Sequence, residues 1–192
     1  MTLAYTLSEN DLLQNQLINA STSEGIKRKR RLSWIMVCII NLCFSFIFLV
    51  AGIDYLARYF LILVAICIVL YPTYQRWWYK SYLKRFVKKQ FVNYGNESST
   101  ITFSDEFIET DDRTGSSKIN IDQLEIVYET GAYFFIKLKS TQSLLLPKDQ
   151  LDNINAVKKE LIDISNKLKI KYISDLSWKW NQSILSRMLA SL

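Results

Sequence analysis

The sequence predicts an α+β membrane protein, in which a two-helix transmembrane hairpin is joined to a small antiparallel β domain of about seven strands closed by a C-terminal helix. Three observations support this fold class. Two uncharged apolar runs lie close together at residues 32–53 and 59–75. Apolar side chains alternate with polar ones between residues 99 and 147, and an amphipathic helical pattern follows at 153–168.

These patterns divide the chain into five segments. They are an N-terminal strand and short helix (1–26), the hairpin (27–75), a basic amphipathic stalk (76–95), the β domain (96–175) and an amphipathic tail (176–192). In the first segment Leu3, Tyr5 and Leu7 alternate as in a strand, and Ser8 with Asp11 resembles a capping box that opens a helix. We expect residues 3–7 to pair with the sheet of the β domain.

Both apolar runs are long enough to cross a bilayer. At ~1.5 Å per residue they span about 33 Å and about 26 Å, against a hydrocarbon core of roughly 30 Å. Trp77, Trp78 and Tyr79 follow the second run, as is typical of the lipid–water interface. The short connector at 54–58 makes the two helices antiparallel. A soluble protein of 192 residues offers too little covering to bury both runs, and a cleaved signal peptide is shorter and stands alone.

Lysine and arginine residues bracket the hairpin and predict its orientation. Residues 17–31 hold five of them and residues 76–90 hold six, whereas the connector holds only Arg58, which Asp54 offsets. The positive-inside rule therefore predicts that both termini are cytoplasmic. It also accounts for the net charge of +6, so we expect no nucleic-acid partner. The basic residues expected to flank the membrane are Lys27, Arg28, Lys29, Arg30, Arg31, Arg76, Lys80, Lys84 and Arg85.

A stripe of small and polar residues runs along the first apolar segment. Its members recur at spacings of three, four and seven and are Cys38, Asn41, Ser45 and Gly52. Such stripes are typical of close helix–helix contacts. The contact is either with the second helix or with another protomer, so a homo-oligomer is one of two alternatives. All three cysteines of the chain lie in the apolar runs, without the spacing of a metal site.

The sequence carries no recognisable catalytic or cofactor-binding motif. It has no histidine and only five glycines, without a phosphate-binding glycine loop. We therefore expect neither an enzyme nor a cofactor or metal site. A run of acidic residues is interpreted as the solvated face of a strand, and a hydrolase that uses two of these carboxylates is the less favoured alternative. The run consists of Asp105, Glu106, Glu109, Asp111 and Asp112.

Beyond the hairpin, the second helix is expected to continue through the stalk to Asn93, with Lys80, Lys84 and Lys88 stacked on one side. Half-buried strands are predicted near 99–104, 106–111, 117–120, 123–130, 132–139 and 142–147. Residues 153–168 form the closing helix, whose apolar face covers the sheet. The tail, from Trp178 to Leu192, forms a second short helix that packs either on the domain or on the membrane surface.

Together these features resemble the YcxB-like family of bacterial membrane proteins. The resemblance rests on the order of the segments, on Tyr71-Pro72 at the end of the hairpin, and on the stretches 102–108, 126–135 and 144–148. It implies the cytoplasmic (inner) membrane of a bacterium, with a β domain similar to small pleckstrin-homology-like (PH-like) barrels. The family brings no established activity and no catalytic residues.

The function expected from the sequence is that of a membrane-tethered interaction or regulatory module. Its partners are the lipid bilayer and an unknown protein on the cytosolic face, captured for example by strand addition at a sheet edge. A lipid-sensing module is the alternative. Residues 96–175 contain ten basic and fourteen acidic residues, which argues against a surface that attracts anionic lipid. Only Lys167, Lys169 and Lys171 form a basic patch.

Overall fold

A computed structural model describes residues 1–94, 98–104, 106–112, 115–140 and 142–180. Within these ranges the protein is α+β, with four α-helices and two four-stranded sheets. The chain divides into two compact units, one formed by residues 1–19 together with 85–192 and the other by residues 20–84. The predicted tail helix falls mainly on residues 181–192, which lie outside the described residues.

The second unit is the helical hairpin. It is formed by α2, Glu24–Val50, and by the larger part of α3, Asp54–Tyr94. Cross-helix contacts run in opposite order along the two helices, because Trp34 Nε1 lies 3.3 Å from the Cys67 carbonyl oxygen and Ser45 Oγ lies 2.9 Å from that of Ala57. The helices are therefore antiparallel, as predicted. Two 18-residue windows are apolar enough to cross a membrane, and only 6% and 11% of their residues are buried.

The connector of the hairpin was predicted at residues 54–58, and this position is wrong. The turn consists of residues 51–53, and α3 begins at Asp54. Gly52 adopts a φ of +70°, which a residue without a Cβ accepts readily. An acidic side chain in the first turn is favourable beside the positive end of the helix dipole. Asp54 is therefore the first residue of α3 and not part of the connector between the two helices. Helix α3 continues through Pro72 into the predicted stalk.

The first sheet confirms the predicted N-terminal strand pairing. It contains β1 (Thr2–Thr6), β2 (Ser98–Phe103), β3 (Phe107–Asp112) and β4 (Gly115–Asn120), in that order. β1 pairs antiparallel with β2, and Leu3 lies opposite Ile101. Helix α1, Glu9–Thr22, follows β1. The predicted capping box is present, since Ser8 Oγ lies 2.6 Å from Asp11 Oδ2 and 3.2 Å from the Asp11 amide nitrogen.

The second sheet contains a strand that the sequence analysis missed. Its order is β7 (Ser143–Pro147), β6 (Tyr133–Leu138), β5 (Leu124–Thr130) and β8 (Lys171–Asp175). β8 pairs parallel with β5, so the expectation of a wholly antiparallel domain of about seven strands is wrong here. Helix α4, Ile154–Leu168, precedes β8. Because a helical crossover carries the chain back across the sheet, the strand after it can run parallel to β5.

The core of this unit lies on both faces of the second sheet. On the inner face, Phe134, Ile136 and Leu146 pack in one cluster with residues of the first sheet and with Val157 and Leu161 of α4. On the other face, a smaller cluster joins Ile18 of α1 to side chains of β5, β6 and β7. Those side chains are Tyr128, Phe135 and Leu145. Strands β5 and β6 are therefore buried on both faces, whereas the sequence predicted half-buried strands.

Candidate functional site

The most unusual chemical feature of the described residues is a carboxylate buried on the inner face of the second sheet. Glu129 lies near the end of β5 and is 2% exposed. Alternation along the strand directs it to the same side as the buried Val127. In the parallel pairing with β8 it lies opposite Ser174. An ionisable group in such a position must be compensated by hydrogen bonds and opposite charges.

Four side chains donate hydrogen bonds to this carboxylate. Lys148 Nζ lies 2.8 Å from Glu129 Oε1, and Lys158 Nζ lies 3.1 Å from Oε2. The hydroxyl groups of Tyr172 and Ser174 lie 2.8 Å and 3.0 Å from Oε2. We call Glu129, Lys148, Lys158, Tyr172 and Ser174 the Glu129 cluster. It joins β5, the segment after β7, α4 and β8.

The electrostatics of the cluster keep Glu129 ionised. Burial alone would raise its pKa, but hydrogen bonds from Lys148, Tyr172, Lys158 and Ser174 outweigh that effect and lower the pKa to about 2. Burial and the hydrogen bond to Glu129 raise the pKa of Tyr172. Lys148 also donates to the Thr130 carbonyl oxygen at 2.7 Å and lies over the Phe134 ring, 4.5 Å from its centroid.

This arrangement is that of a structural ion cluster. A general base needs a pKa near the working pH and a free lone pair facing the substrate. Glu129 instead has a pKa of about 2, with both oxygens accepting hydrogen bonds from the protein. Among the described residues there is no group of three or more histidine, cysteine, aspartate or glutamate side chains that could hold a metal ion.

A second polar contact fixes α1 against the second sheet. Tyr133 Oη donates a hydrogen bond of 2.7 Å to Asp11 Oδ1, while the other oxygen of Asp11 accepts from the Ser8 amide at 2.9 Å. Burial and the contact with Asp11 raise the pKa of Tyr133. One carboxylate therefore caps α1 and holds it on β6. Ser143 extends the attachment, since its hydroxyl group lies 2.9 Å from Asn15 Oδ1.

A cleft of about 370 Å³ opens between β4 and β7, beside α1. Its lining combines apolar side chains with amide and hydroxyl groups. The lining residues are Asn15, Gln16, Asn19, Thr110, Ser117, Ile119, Leu138, Gln142, Ser143 and Leu144. None of these ten side chains is charged, so the cleft suits a neutral ligand.

The predicted membrane-flank residues lie at the start of α2 and in the second half of α3. Seven of them are exposed, whereas Arg30 and Arg76 are half-buried. The Arg30 guanidinium carbon lies 5.8 Å from the centroid of the Tyr79 ring, and Gln75 Nε2 donates to the Arg30 carbonyl oxygen at 3.2 Å. Lys27 forms an exposed ion pair with Glu24 at 2.8 Å.

The residues of the predicted stripe on the first apolar run do not make one common helix–helix contact in the described structure. Ser45 is buried and donates to the Ala57 carbonyl oxygen of the facing helix at 2.9 Å. Asn41 instead donates to Val37 of its own helix at 2.8 Å, and Cys38 is half-buried. Gly52 lies in the turn, beyond the end of α2.

The described side chains of the acidic run at 105–112, those of Glu106, Glu109 and Asp111, are not part of the Glu129 cluster. Glu106 and Asp111 are exposed, and Glu109 forms a partly exposed ion pair with Lys118 at 3.6 Å. Asp105 and the side chain of Asp112 lie outside what the structure describes. The sequence analysis missed Glu129, although its alternation with Val127 in an apolar strand marks a charge on the core-facing side.

Comparison with known proteins bears on the first compact unit, residues 1–19 with 85–192, which contains both sheets and which we call the β-rich unit. Residues 103–161 match the model of the YcxB-like protein family, which confirms the resemblance over somewhat less than a third of the chain. The matched segment runs from the end of β2 into α4. It includes Glu129, Lys148 and Lys158, while Tyr172 and Ser174 follow it. No curated protein and no solved structure matches the chain.

Proposed function

We propose that this protein is anchored in the cytoplasmic membrane of a bacterium by the hairpin of α2 and α3. In this proposal both termini are cytoplasmic, and the β-rich unit is a PH-like interaction or regulatory module without enzymatic activity. The two antiparallel strand meanders and the helix α4 that packs on them support the PH-like part of the proposal. The family match supports the general class of protein.

The exposure of the hairpin is the observation that carries the proposal. Large apolar side chains point outward along both helices, among them Phe46, Leu49, Leu61 and Val69, which are 52–69% exposed. Such a surface is unfavourable in water, because each square ångström of exposed apolar area costs roughly 25 cal/mol. A lipid environment removes that cost while the helical backbone satisfies its own hydrogen bonds.

The non-enzymatic part of the proposal is supported by the chemistry of the Glu129 cluster. Its carboxylate is held ionised by four donors and has no oxygen available to a substrate. The cluster instead ties β8 and α4 to β5, which stabilises the unit that would present a binding surface. The ionised state at neutral pH follows from the lowered pKa.

Cysteine labelling of intact cells tests the anchoring and the orientation together. In a background with Cys38, Cys43 and Cys67 replaced, we place single cysteines by Tyr55→Cys near the turn and Lys159→Cys on α4, both at exposed positions. A membrane-impermeant maleimide should label the first variant in intact cells and the second only after lysis. The protein should also stay in the membrane pellet after alkaline carbonate washing. Labelling of the second variant in intact cells, or release by carbonate, contradicts the proposal.

A further inference from the structure

We propose that the cleft between β4 and β7 binds an extended peptide segment with uncharged side chains, which adds as a strand to the free edge of β4. This inference rests on the proposed role of the β-rich unit as an interaction module. It identifies the edge that is used and the chemistry of the partner. Strand addition of this kind draws its affinity from main-chain hydrogen bonds and its selectivity from alternate side chains.

The register of the first sheet determines which main-chain groups of β4 face outward. The Ile121 amide donates to the Glu106 carbonyl oxygen at 3.0 Å. In an antiparallel ladder this bond makes Phe107–Asn120 a non-hydrogen-bonded pair, and the two types of pair alternate from there. Ile119 and Ser117 therefore exchange hydrogen bonds with β3. The amide and carbonyl groups of Ser116, Lys118 and Asn120 point away from β3.

These outward groups form an unpaired edge. β4 is the last strand of its sheet, and within the described part of the chain no main-chain hydrogen bond reaches Ser116, Lys118 or the Asn120 amide, whereas the Asn120 carbonyl oxygen accepts the first bond of the short helix Ile121–Gln123. An exposed strand edge of this kind is a template for pairing with another segment. Ser116 and Lys118 each present one donor and one acceptor and Asn120 presents one donor, which allows a peptide of about six residues to align along β4.

Other sheet edges are less suited to pairing. The edge of β1 is closed at Thr6, whose amide and carbonyl groups bond to the side chain of Gln150 at 2.7 Å and 2.9 Å. β7 borders the same cleft, but it directs only Ser143 and Leu145 outward before Pro147, which has no amide hydrogen. β4 therefore offers the longer uninterrupted edge beside the cleft.

The position of the cleft determines where the side chains of an added strand would lie. Ser117 and Ile119 line the cleft, while Lys118 points to the opposite face, where it pairs with Glu109. On a strand added to β4, every second side chain would lie on the cleft side. There it meets the apolar side chains that line the cleft, Ile119, Leu138 and Leu144. The partner segment thus carries apolar residues at alternate positions.

The charge of the cleft selects against ionised partners. All ten lining side chains are neutral, and their polar groups are amides and hydroxyls. A buried carboxylate or ammonium group on the partner would lose its hydration without gaining an opposite charge. An amide or hydroxyl group would instead exchange water for equivalent hydrogen bonds. We therefore assign an uncharged segment to the cleft.

Selection from a peptide library tests the inference on the full chain. The protein in lipid nanodiscs is presented with phage-displayed nine-residue peptides without charged side chains, and empty nanodiscs remove lipid binders. We expect enrichment of peptides with apolar residues at alternate positions. A synthetic copy of the tightest peptide should slow hydrogen exchange at the amides of Ser116, Lys118 and Asn120 at least tenfold. The amides of Ser117 and Ile119, which already pair with β3, should change little.

Two substitutions at one position separate main-chain from side-chain recognition. Lys118→Pro removes an outward amide without touching the bonds to β3, so we expect at least tenfold weaker binding. Lys118→Ala removes the ion pair and the cation–π contact with Phe107 but keeps the amide, so affinity should stay within twofold. If Lys118→Pro does not fold, the exchange measurement on the unmodified chain decides alone.

Three results would overturn the inference. They are the absence of enriched peptides, peptide binding without slower exchange at β4, and equal affinity of the Lys118→Pro and unmodified chains. Slower exchange around Gln16 with β4 unchanged would assign the cleft to a ligand that is not a strand. The labelling experiment on Tyr55→Cys and Lys159→Cys is independent of these outcomes. If the protein is correctly oriented but selects no peptide, the proposed anchoring stands and only the proposed binding site is rejected.

Discussion

Replacement of Glu129 by glutamine probes a buried carboxylate that four side chains compensate. Glutamine keeps the shape of the side chain but removes its charge, which leaves Lys148 with a side chain only 11% exposed and no opposite charge. Lys158, at 38%, can turn toward solvent. Breaking a buried ion pair by removing one partner costs ~3–5 kcal/mol. We therefore expect Glu129→Gln to destabilise the β-rich unit markedly.

The lowered pKa of Glu129 predicts how the same effect depends on pH. It falls from 4.5 to about 2 on folding, and each tenfold change in acidity is worth about 1.4 kcal/mol, so the ionised carboxylate contributes about 3 kcal/mol. Because the folded-state pKa is the lower one, this stability is present above pH 4.5 and is lost as the pH falls toward 2. The unmodified protein should lose it over that range, whereas Glu129→Gln should not.

The assay is urea unfolding of the full chain in detergent micelles, with hydrogen exchange at β5 and β6 amides to identify the unit that opens. At pH 7 we expect Glu129→Gln to lower its free energy of unfolding by about 3 kcal/mol. Glu109→Gln is the control, since both side chains of its 3.6 Å pair with Lys118 are about half exposed, 46% for Glu109 and 55% for Lys118. It should cost at most about 1 kcal/mol.

A double substitution identifies the cause of the loss. If the destabilisation comes from the buried, unpaired ammonium group of Lys148, then Lys148→Met in the Glu129→Gln background should restore part of the lost stability. The double variant replaces a buried unpaired charge by a neutral pair. The reasoning is refuted if Glu129→Gln and Glu109→Gln lose the same free energy. A difference between Glu129→Gln and the unmodified chain that persists unchanged at pH 2 would also refute it.

Three further predictions concern the attachment of the N-terminal segment and a close backbone contact. Deletion of residues 1–8 removes β1 and should speed hydrogen exchange in β2, which then becomes a sheet edge; unchanged protection there would contradict the pairing. Asp11→Asn should weaken the cap of α1 by ~1 kcal/mol, measured as faster exchange of the first-turn amides, while Glu9→Gln should not. Gly131→Ala should destabilise the unit by ~1–3 kcal/mol, measured by urea unfolding, because its Cβ would lie 2.8 Å from the Leu176 carbonyl oxygen.

The parts of the fold that follow from short-range patterns could be predicted from the sequence. Alternation of Leu3 and Tyr5 identified β1, and the spacing of Ser8 and Asp11 identified the start of α1. Uniform apolar composition identified both hairpin helices, since their outward side chains remain apolar through the whole length. In each case neighbours in the sequence carry the information.

The elements that depend on distant partners could not be predicted in this way. β8 has only five residues, and its alternation becomes meaningful only beside β5. The period-two pattern also failed to predict that β5 and β6 are buried on both faces, because the two covers, the first sheet with α4 and the helix α1, come from distant parts of the sequence. Glu129 looks like any strand carboxylate until Lys148, Lys158 and Tyr172 are brought to it from three other segments.

The pairing of β1 with β2 constrains the proposed membrane topology independently of charge. β1 precedes the hairpin and β2 follows it, yet Leu3 and Ile101 lie opposite each other in one sheet. If the two helices cross a bilayer, the chain must return to the side from which it entered, because strands of one sheet share one compartment. An even number of crossings satisfies this requirement. The proposal that this side is the cytoplasm rests on the basic residues of both flanks and the positive-inside rule.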